Sequence, residues 1–143
     1  MGTREAMSHA ALGWVKPELD QLLELVRREI EEFVENSRAG SNLGQAAQWL
    51  HQVRGTLRMV ELYTPALVAE EMEQLASSLV VGSITDTDEA CATLMRGSVL
   101  LPDYLERLQE GHRDIPVVLL PLLNDLRQAR GAELLSADRK SVV

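Results

Sequence analysis

Apolar residues recur along this chain at the spacing of an α-helix. Between Glu18 and Glu35 they stand three or four positions apart, which places them on one side of a helix. They are Leu19, Leu22, Leu23, Val26, Ile30 and Phe33. The chain does not show the strict alternation of apolar and polar residues that is typical of a half-buried strand. A chain patterned in this way is restricted to helices that each bury one face.

Four further segments carry the same period and are separated by turn-forming residues. Their expected ranges are about 42–63, 65–80, 87–110 and 115–130. Pro102 is expected to kink the fourth helix or to divide it in two. Short connections between amphipathic helices predict an all-α fold, an antiparallel up-down bundle of four to five helices.

The 143 residues are enough for one domain with a buried core. Residues 1–13 are expected to form a flexible lead, and residues 14–135 the bundle. Pro17 suits the first turn of the first helix. Three glutamates of the third helix are expected to lie mostly on its solvent side: Glu70, Glu71 and Glu73.

Residues 136–143 are expected to form a tail outside the bundle. Its end reads DRKSVV and is similar to the translation of a common sequencing-library adapter, which indicates a truncated gene end. A natural disordered tail is the alternative.

Charge and composition exclude several classes of function. The chain carries 22 acidic and 14 basic residues, a net charge of −8, which does not favour nucleic acid or an anionic membrane surface. No apolar run approaches the roughly 20 residues that span a bilayer. Cys91 is the only cysteine, so we expect no disulfide and no thiolate metal site, and no other metal or cofactor pattern is present. A cytoplasmic protein fits best.

The stretch from Leu50 to Met59, LHQVRGTLRM, offers candidate chemistry. His51, Arg54 and Gly55 are spaced i, i+3 and i+4, so they lie on one helical face. Arg58 extends the positive strip. A glycine inside a helix costs about 1 kcal/mol relative to alanine, which suggests that a partner protein or a packed neighbour approaches closely there.

This spacing resembles the phosphoacceptor motif of histidine phosphotransfer (Hpt) domains, His-x-x-Lys-Gly. The resemblance implies that His51 carries a phosphoryl group, that Arg54 supports its charge and that Gly55 admits the aspartate site of a receiver domain. Arg58 would add to the phosphate-supporting charge. Arginine replaces the usual lysine, which keeps the charge but adds a planar fork.

A second departure lies just after the glycine, where the family has small residues. Four larger ones stand here and are expected to narrow the docking surface: Thr56, Leu57, Arg58 and Met59.

Longer stretches resemble a narrower group. They are LGWVKPEL, LHQVRGTLRMVELYTPALVAEEMEQL and IPVVLLPLLNDLRQARG. They are similar to the N-terminal Hpt-like domain of the ChpA/PilL family, chemotaxis-type hybrid histidine kinases that control type IV pilus twitching motility. The scaffold protein FimL shares this domain type. The implied partners are a response-regulator receiver domain, a histidine kinase core and pilus-signalling scaffold proteins.

Two functions stay open at this point. One is a phosphoryl carrier in a two-component phosphorelay, and the other is a catalytically silent scaffold of the same fold. No nucleophile–base pair, carboxylate pair or glycine-rich phosphate loop marks an independent enzyme. The kinase and other enzymes of such a relay would lie outside this chain.

Overall fold

The structure, a computed structural model, describes the backbone of residues 3–36 and 43–135 and the side chains of residues 10–36 and 43–135. The described residues form five α-helices and no strand. They are α1 (Thr3–Glu35), α2 (Leu43–Met59), α3 (Tyr63–Val80), α4 (Thr87–Gln109) and α5 (Pro116–Ala129). The predicted all-α class is confirmed. The tail expected at 136–143 lies outside the described residues.

The first four helices form a ring in which each packs against two others. α1 contacts α2 and α4, and α3 contacts the same two helices. α5 lies outside this ring and packs against α3 and α4. The result is the antiparallel helical bundle that the apolar periodicity predicts.

The buried face of α2 determines which of its residues remain at the surface. Its buried residues are Leu43, Ala46, Leu50, Val53 and Leu57, spaced three or four apart. Each buried leucine stabilises the fold by roughly 1.5–3 kcal/mol. Because this stripe faces the core, the residues between its members face solvent or the edge of α3.

α1 begins much earlier than predicted, at Thr3, so the lead expected for residues 1–13 is helical from that residue. Pro17 lies inside the helix, not in its first turn. Leu12 is fully buried and continues the apolar stripe towards the N-terminus. The predicted helix start at Pro17 is therefore wrong, and α1 tolerates the internal proline while packing against α2 and α4.

Lys16 strengthens this part of α1 through an ion-pair network. Its Nζ lies 2.8 Å from Asp20 Oδ2 and 2.8 Å from Glu106 Oε2 of α4. Burial disfavours the charged ammonium, but the hydrogen bonds to both carboxylates outweigh this cost and raise the pKa of Lys16. The contact with Glu106 joins α1 to α4.

The connection between α2 and α3 also differs from prediction. α2 ends at Met59 because Glu61 adopts a left-handed backbone with φ of 64°. The Leu62 amide donates to the Leu57 carbonyl at 2.9 Å and the Glu61 amide to the Arg58 carbonyl at 3.0 Å, a Schellman-type ending. No glycine marks this turn, so the sequence pattern predicts that the helix continues to about residue 63. Pro102, by contrast, does not divide α4.

Glu71 attaches α5 to the bundle. This side chain is only 2% exposed, contrary to the solvent position expected for it. Its carboxylate accepts hydrogen bonds from Arg127 Nη1 at 2.5 Å and from Arg130 Nη2 at 2.9 Å. Glu71 stands three residues after Val68 and four before Leu75, so it belongs to the buried stripe of α3.

We expect Glu71→Gln to lower the free energy of unfolding by about 2–3 kcal/mol, because two arginines lose a buried counter-charge. Chemical denaturation measures this loss. Glu31→Gln is the matched control, since Glu31 pairs with Arg27 at a more exposed position of α1, and it should change the stability by less than about 0.5 kcal/mol. Equal losses in both variants would contradict the assignment of Glu71 as an anchor for α5.

Candidate functional site

His51 lies on the open side of α2. Its neighbours in sequence, Leu50 and Val53, are fully buried. The His51 side chain itself is 59% exposed. The buried face of α2 therefore holds the helix in place while the imidazole remains accessible to a partner protein.

One ring nitrogen of His51 contacts a carboxylate of α3. His51 Nδ1 lies 3.1 Å from Glu73 Oε2 and 3.3 Å from Oε1. The spacing within α2 cannot identify Glu73 as a site residue, because Glu73 lies 22 positions from His51 and on another helix. The sequence does contain one indication of this contact. Glu70 and Glu73 are one turn apart and flank the buried stripe of α3, where they can reach a neighbouring helix.

Arg54 joins the same group of side chains. Its Nη2 lies 3.0 Å from His51 Nδ1, and its Nη1 lies 3.0 Å from Glu70 Oε1. Nη1 is also 3.7 Å from Glu73 Oε1. The predicted pair of His51 and Arg54 is thus brought together, but the guanidinium is already paired with two carboxylates of α3.

The second ring nitrogen, Nε2, has no hydrogen-bond partner among residues 10–36 and 43–135. The contacts at Nδ1 engage one nitrogen of a side chain that is 59% exposed and leave Nε2 unbound. A neutral imidazole with its proton on Nδ1 carries a free lone pair on Nε2. This arrangement can present a nucleophilic nitrogen to an electrophile brought by another protein.

Gly55 is exposed, and a Cβ atom placed there would meet nothing within 4 Å. The sequence left two explanations for this glycine, close approach by a partner protein or by a packed neighbour. Within the described part of the chain no neighbour packs against it. The notch is open on the same face as His51. It is therefore available to an approaching partner.

Arg58 and Met59 form the surface beyond Gly55. Arg58 is exposed and makes no ion pair or hydrogen bond with the described residues, so it does not join the network at His51. Met59 is 84% exposed. The expected crowding by Leu57 is wrong, because that side chain is fully buried as part of the core stripe, and Thr56 is half-buried.

A shallow groove of about 550 Å³ lies on the other side of His51, between the start of α2 and the end of α3. On the α2 side the groove is lined by the small residues Gly44 and Ala47, which leave it shallow. Val80 and Val81 give its α3 side an exposed apolar surface. Along α2, His51 therefore lies between two open places on the surface: this groove on one side and the notch at Gly55 on the other.

The structure also bears on two other classes of site. The described residues contain no group of three or more His, Cys, Asp or Glu side chains that could hold a metal ion. No helix in that part of the chain is long and apolar enough to cross a membrane. His112 stands exposed in the loop between α4 and α5.

Comparison with known protein families accounts for this combination of fold and exposed helical histidine. Residues 10–111 match the model of the Hpt domain family. The chain belongs to the Hpt domain family. The match covers most of α1 and all of α2 to α4 and ends before α5, so the helix anchored by Glu71 lies outside the matched residues.

A curated relative extends the similarity along the chain. The scaffold protein FimL of Pseudomonas aeruginosa is 35% identical over 121 residues, which are 85% of this chain and 22% of that protein. The chain thus spans about a fifth of the length of this relative. No solved structure matches the chain.

The open notch at Gly55 leads to a prediction about stability. Gly55→Ala should raise the free energy of unfolding by up to about 1 kcal/mol, because alanine is the better helix former and meets no neighbour. Gly97→Ala is the matched control, since its Cβ would lie 2.9 Å from Met72 Sδ in the core. It should lower stability, as overpacking typically costs about 1–3 kcal/mol. Destabilisation by Gly55→Ala in a denaturant titration would show that the notch is filled.

Proposed function

We propose that this chain is a phosphoryl carrier of a two-component phosphorelay, with Nε2 of His51 as the phosphoacceptor atom. The observation that supports this most directly is the pairing of Nδ1 with Glu73, which leaves Nε2 exposed on α2 of an Hpt-family bundle. A receiver domain or a histidine kinase core would supply the phosphoryl group. The chain would store and pass the group and would not need a nucleotide site of its own.

The transfer step follows from the chemistry of a neutral imidazole. With a proton on Nδ1 shared with Glu73, the Nε2 lone pair attacks the phosphorus atom of an aspartyl phosphate. The bond between phosphorus and the aspartate oxygen breaks, and its electron pair stays on the carboxylate. The Nδ1 proton remains on the ring, so the step needs no other proton donor.

Three neighbours of His51 would assist phosphoryl transfer, two by supporting the charge of the phosphoryl group and one by admitting the receiver domain. The guanidinium of Arg54 lies one turn from His51 and can form charge-assisted hydrogen bonds to phosphoryl oxygens. Arg58 is an exposed cation two turns along, free to move towards a bound anion. Gly55 provides room for the loops of a receiver domain.

We place this domain, α1 to α5 through Leu135, in the ChpA/PilL group of chemotaxis-type hybrid histidine kinases. Sequence resemblance along the chain and the similarity to FimL support this placement. This chain would then share the role of that group, the control of type IV pilus twitching motility, and would act in the cytoplasm. Its partners would be the kinase core and a receiver domain of the same signalling system.

A second candidate function is a silent scaffold. The similar protein from Pseudomonas aeruginosa is named a scaffold protein, and Arg54 is already paired with Glu70. Under this hypothesis the His51 face binds a signalling partner without accepting a phosphoryl group. Exposed Met59 would then contribute an apolar contact to that interface.

Phosphorylation of the purified chain decides between the two functions. Incubation with a phosphorylated receiver domain should place an acid-labile, base-stable label on the wild type and none on His51→Gln. Glu73→Gln should retain binding of the receiver but slow labelling on the order of tenfold or more, because it weakens the hold on the Nδ1 proton. His112→Gln is the matched control and should be labelled like the wild type. Binding of the receiver without any label on the wild type would favour the scaffold.

A further inference from the structure

The two neighbours of His51 Nδ1 require opposite placements of its proton. Arg54 Nη2, at 3.0 Å, is a permanent donor and needs a lone pair on Nδ1. The Glu73 carboxylate, at 3.1 Å, is an acceptor and needs a proton there. A neutral imidazole satisfies one of these contacts and not the other. The two side chains therefore compete for the tautomer of His51.

The outcome of this competition determines the chemistry of the exposed nitrogen. With the proton on Nδ1, Nε2 carries a lone pair directed to solvent. With the proton on Nε2, that nitrogen's electron pair belongs to the aromatic ring and cannot attack phosphorus. The remaining lone pair then lies on Nδ1, which Arg54 and Glu73 cover. Only the form favoured by Glu73 is nucleophilic at an accessible atom.

The planar fork of arginine explains how Arg54 can compete. Nη1 is held by Glu70 Oε1 at 3.0 Å, and this anchor directs Nη2 to His51 Nδ1. A lysine at this position would present a single nitrogen. Its N–H groups would be drawn to the carboxylates of Glu70 and Glu73, and no rigid fork would direct one of them to Nδ1.

We propose that Arg54 restrains phosphoryl transfer by stabilising the Nε2–H tautomer of His51, in opposition to Glu73. An incoming phosphoryl group would relieve the restraint, because its oxygens compete for the same guanidinium hydrogens. Once Nη2 leaves Nδ1, Nε2 can release its proton to water, and Nδ1 can take up a proton from water and donate it to Glu73. Arg54 is thus a positioning residue whose release is coupled to arrival of the phosphoryl group. This inference rests on the proposed function of His51 as the acceptor.

The tautomer can be measured without any phosphorylation. Long-range ¹H–¹⁵N spectra of the histidine rings, recorded at alkaline pH where imidazoles are neutral, distinguish a protonated from an unprotonated Nδ1. Arg54→Lys should shift His51 towards the Nδ1–H form, and Glu73→Gln should shift it towards the Nε2–H form. Arg107→Lys, a matched change at an exposed site on α4, should leave the spectrum of His51 unchanged, and His112 provides an internal reference. An unchanged tautomer in Arg54→Lys would overturn the inference.

The rate of labelling tests the consequence for transfer. Phosphoramidate serves as the donor: Nε2 bonds to phosphorus, the phosphorus–nitrogen bond of the donor breaks, and ammonia leaves. Arg54→Lys should be labelled about three- to tenfold faster than the wild type, since a charged hydrogen bond that opposes the reactive form is removed. Slower labelling of Arg54→Lys would overturn the restraint.

The two measurements separate this inference from the proposed function. Absence of label on the wild type and on Arg54→Lys would reject phosphotransfer at His51. The ring spectra would then still decide whether Arg54 determines the position of the proton. A tautomer shift together with faster labelling would support both.

Discussion

The packing of α2 against α3 is the contact on which the candidate site depends. On its buried side, Leu50 and Val53 of α2 are fully enclosed by the bundle. On its open edge, His51 and Arg54 meet Glu73 and Glu70. Apolar burial supplies the stability, and the ion pairs at the edge determine how the side chains are oriented. The histidine is accessible because it adjoins the buried stripe without belonging to it.

The glutamates of α3 at positions 70, 71 and 73 form contacts on two sides of that helix. Glu70 and Glu73 face α2 and hold the candidate site, while Glu71 is turned towards α5 and binds Arg127 and Arg130. This division follows from helical geometry, since adjacent residues project about 100° apart. One short segment of α3 therefore contacts both α2, which lies within the residues that match the Hpt family, and α5, which lies beyond them.

The periodicity of apolar residues was sufficient to predict the helical class, the bundle and the exposure of His51. It failed where tertiary contacts override local signals. Pro17 indicated a helix start, yet α1 begins at Thr3, and Leu12, five positions before the proline, is fully buried. The sequence pattern predicts the turn between α2 and α3 at about residue 64. It lies earlier, at residues 60–62, because Glu61 adopts the left-handed conformation that glycine usually marks.

The candidate site was predictable along one helix and not across two. His51, Arg54 and Gly55 follow from a spacing within α2, whereas Glu73 depends on the register between α2 and α3. That register changes the interpretation of Arg54. From the sequence it is a cation available for a phosphoryl group. In the folded chain two carboxylates and an imidazole nitrogen already share its hydrogens.

A phosphoryl group arriving at His51 must therefore compete for Arg54 with groups that are already bound. Its advantage is charge, because a phosphoryl dianion binds a guanidinium more strongly than a neutral imidazole nitrogen does. Glu70 can remain paired through Nη1 while Nη2 turns to the new anion. The same arrangement that reduces the reactivity of the resting histidine thus leaves one arm of the arginine available for the phosphorylated state. A scaffold would retain the ion pairs for stability alone, and the proton position on His51 would then have no consequence for its function.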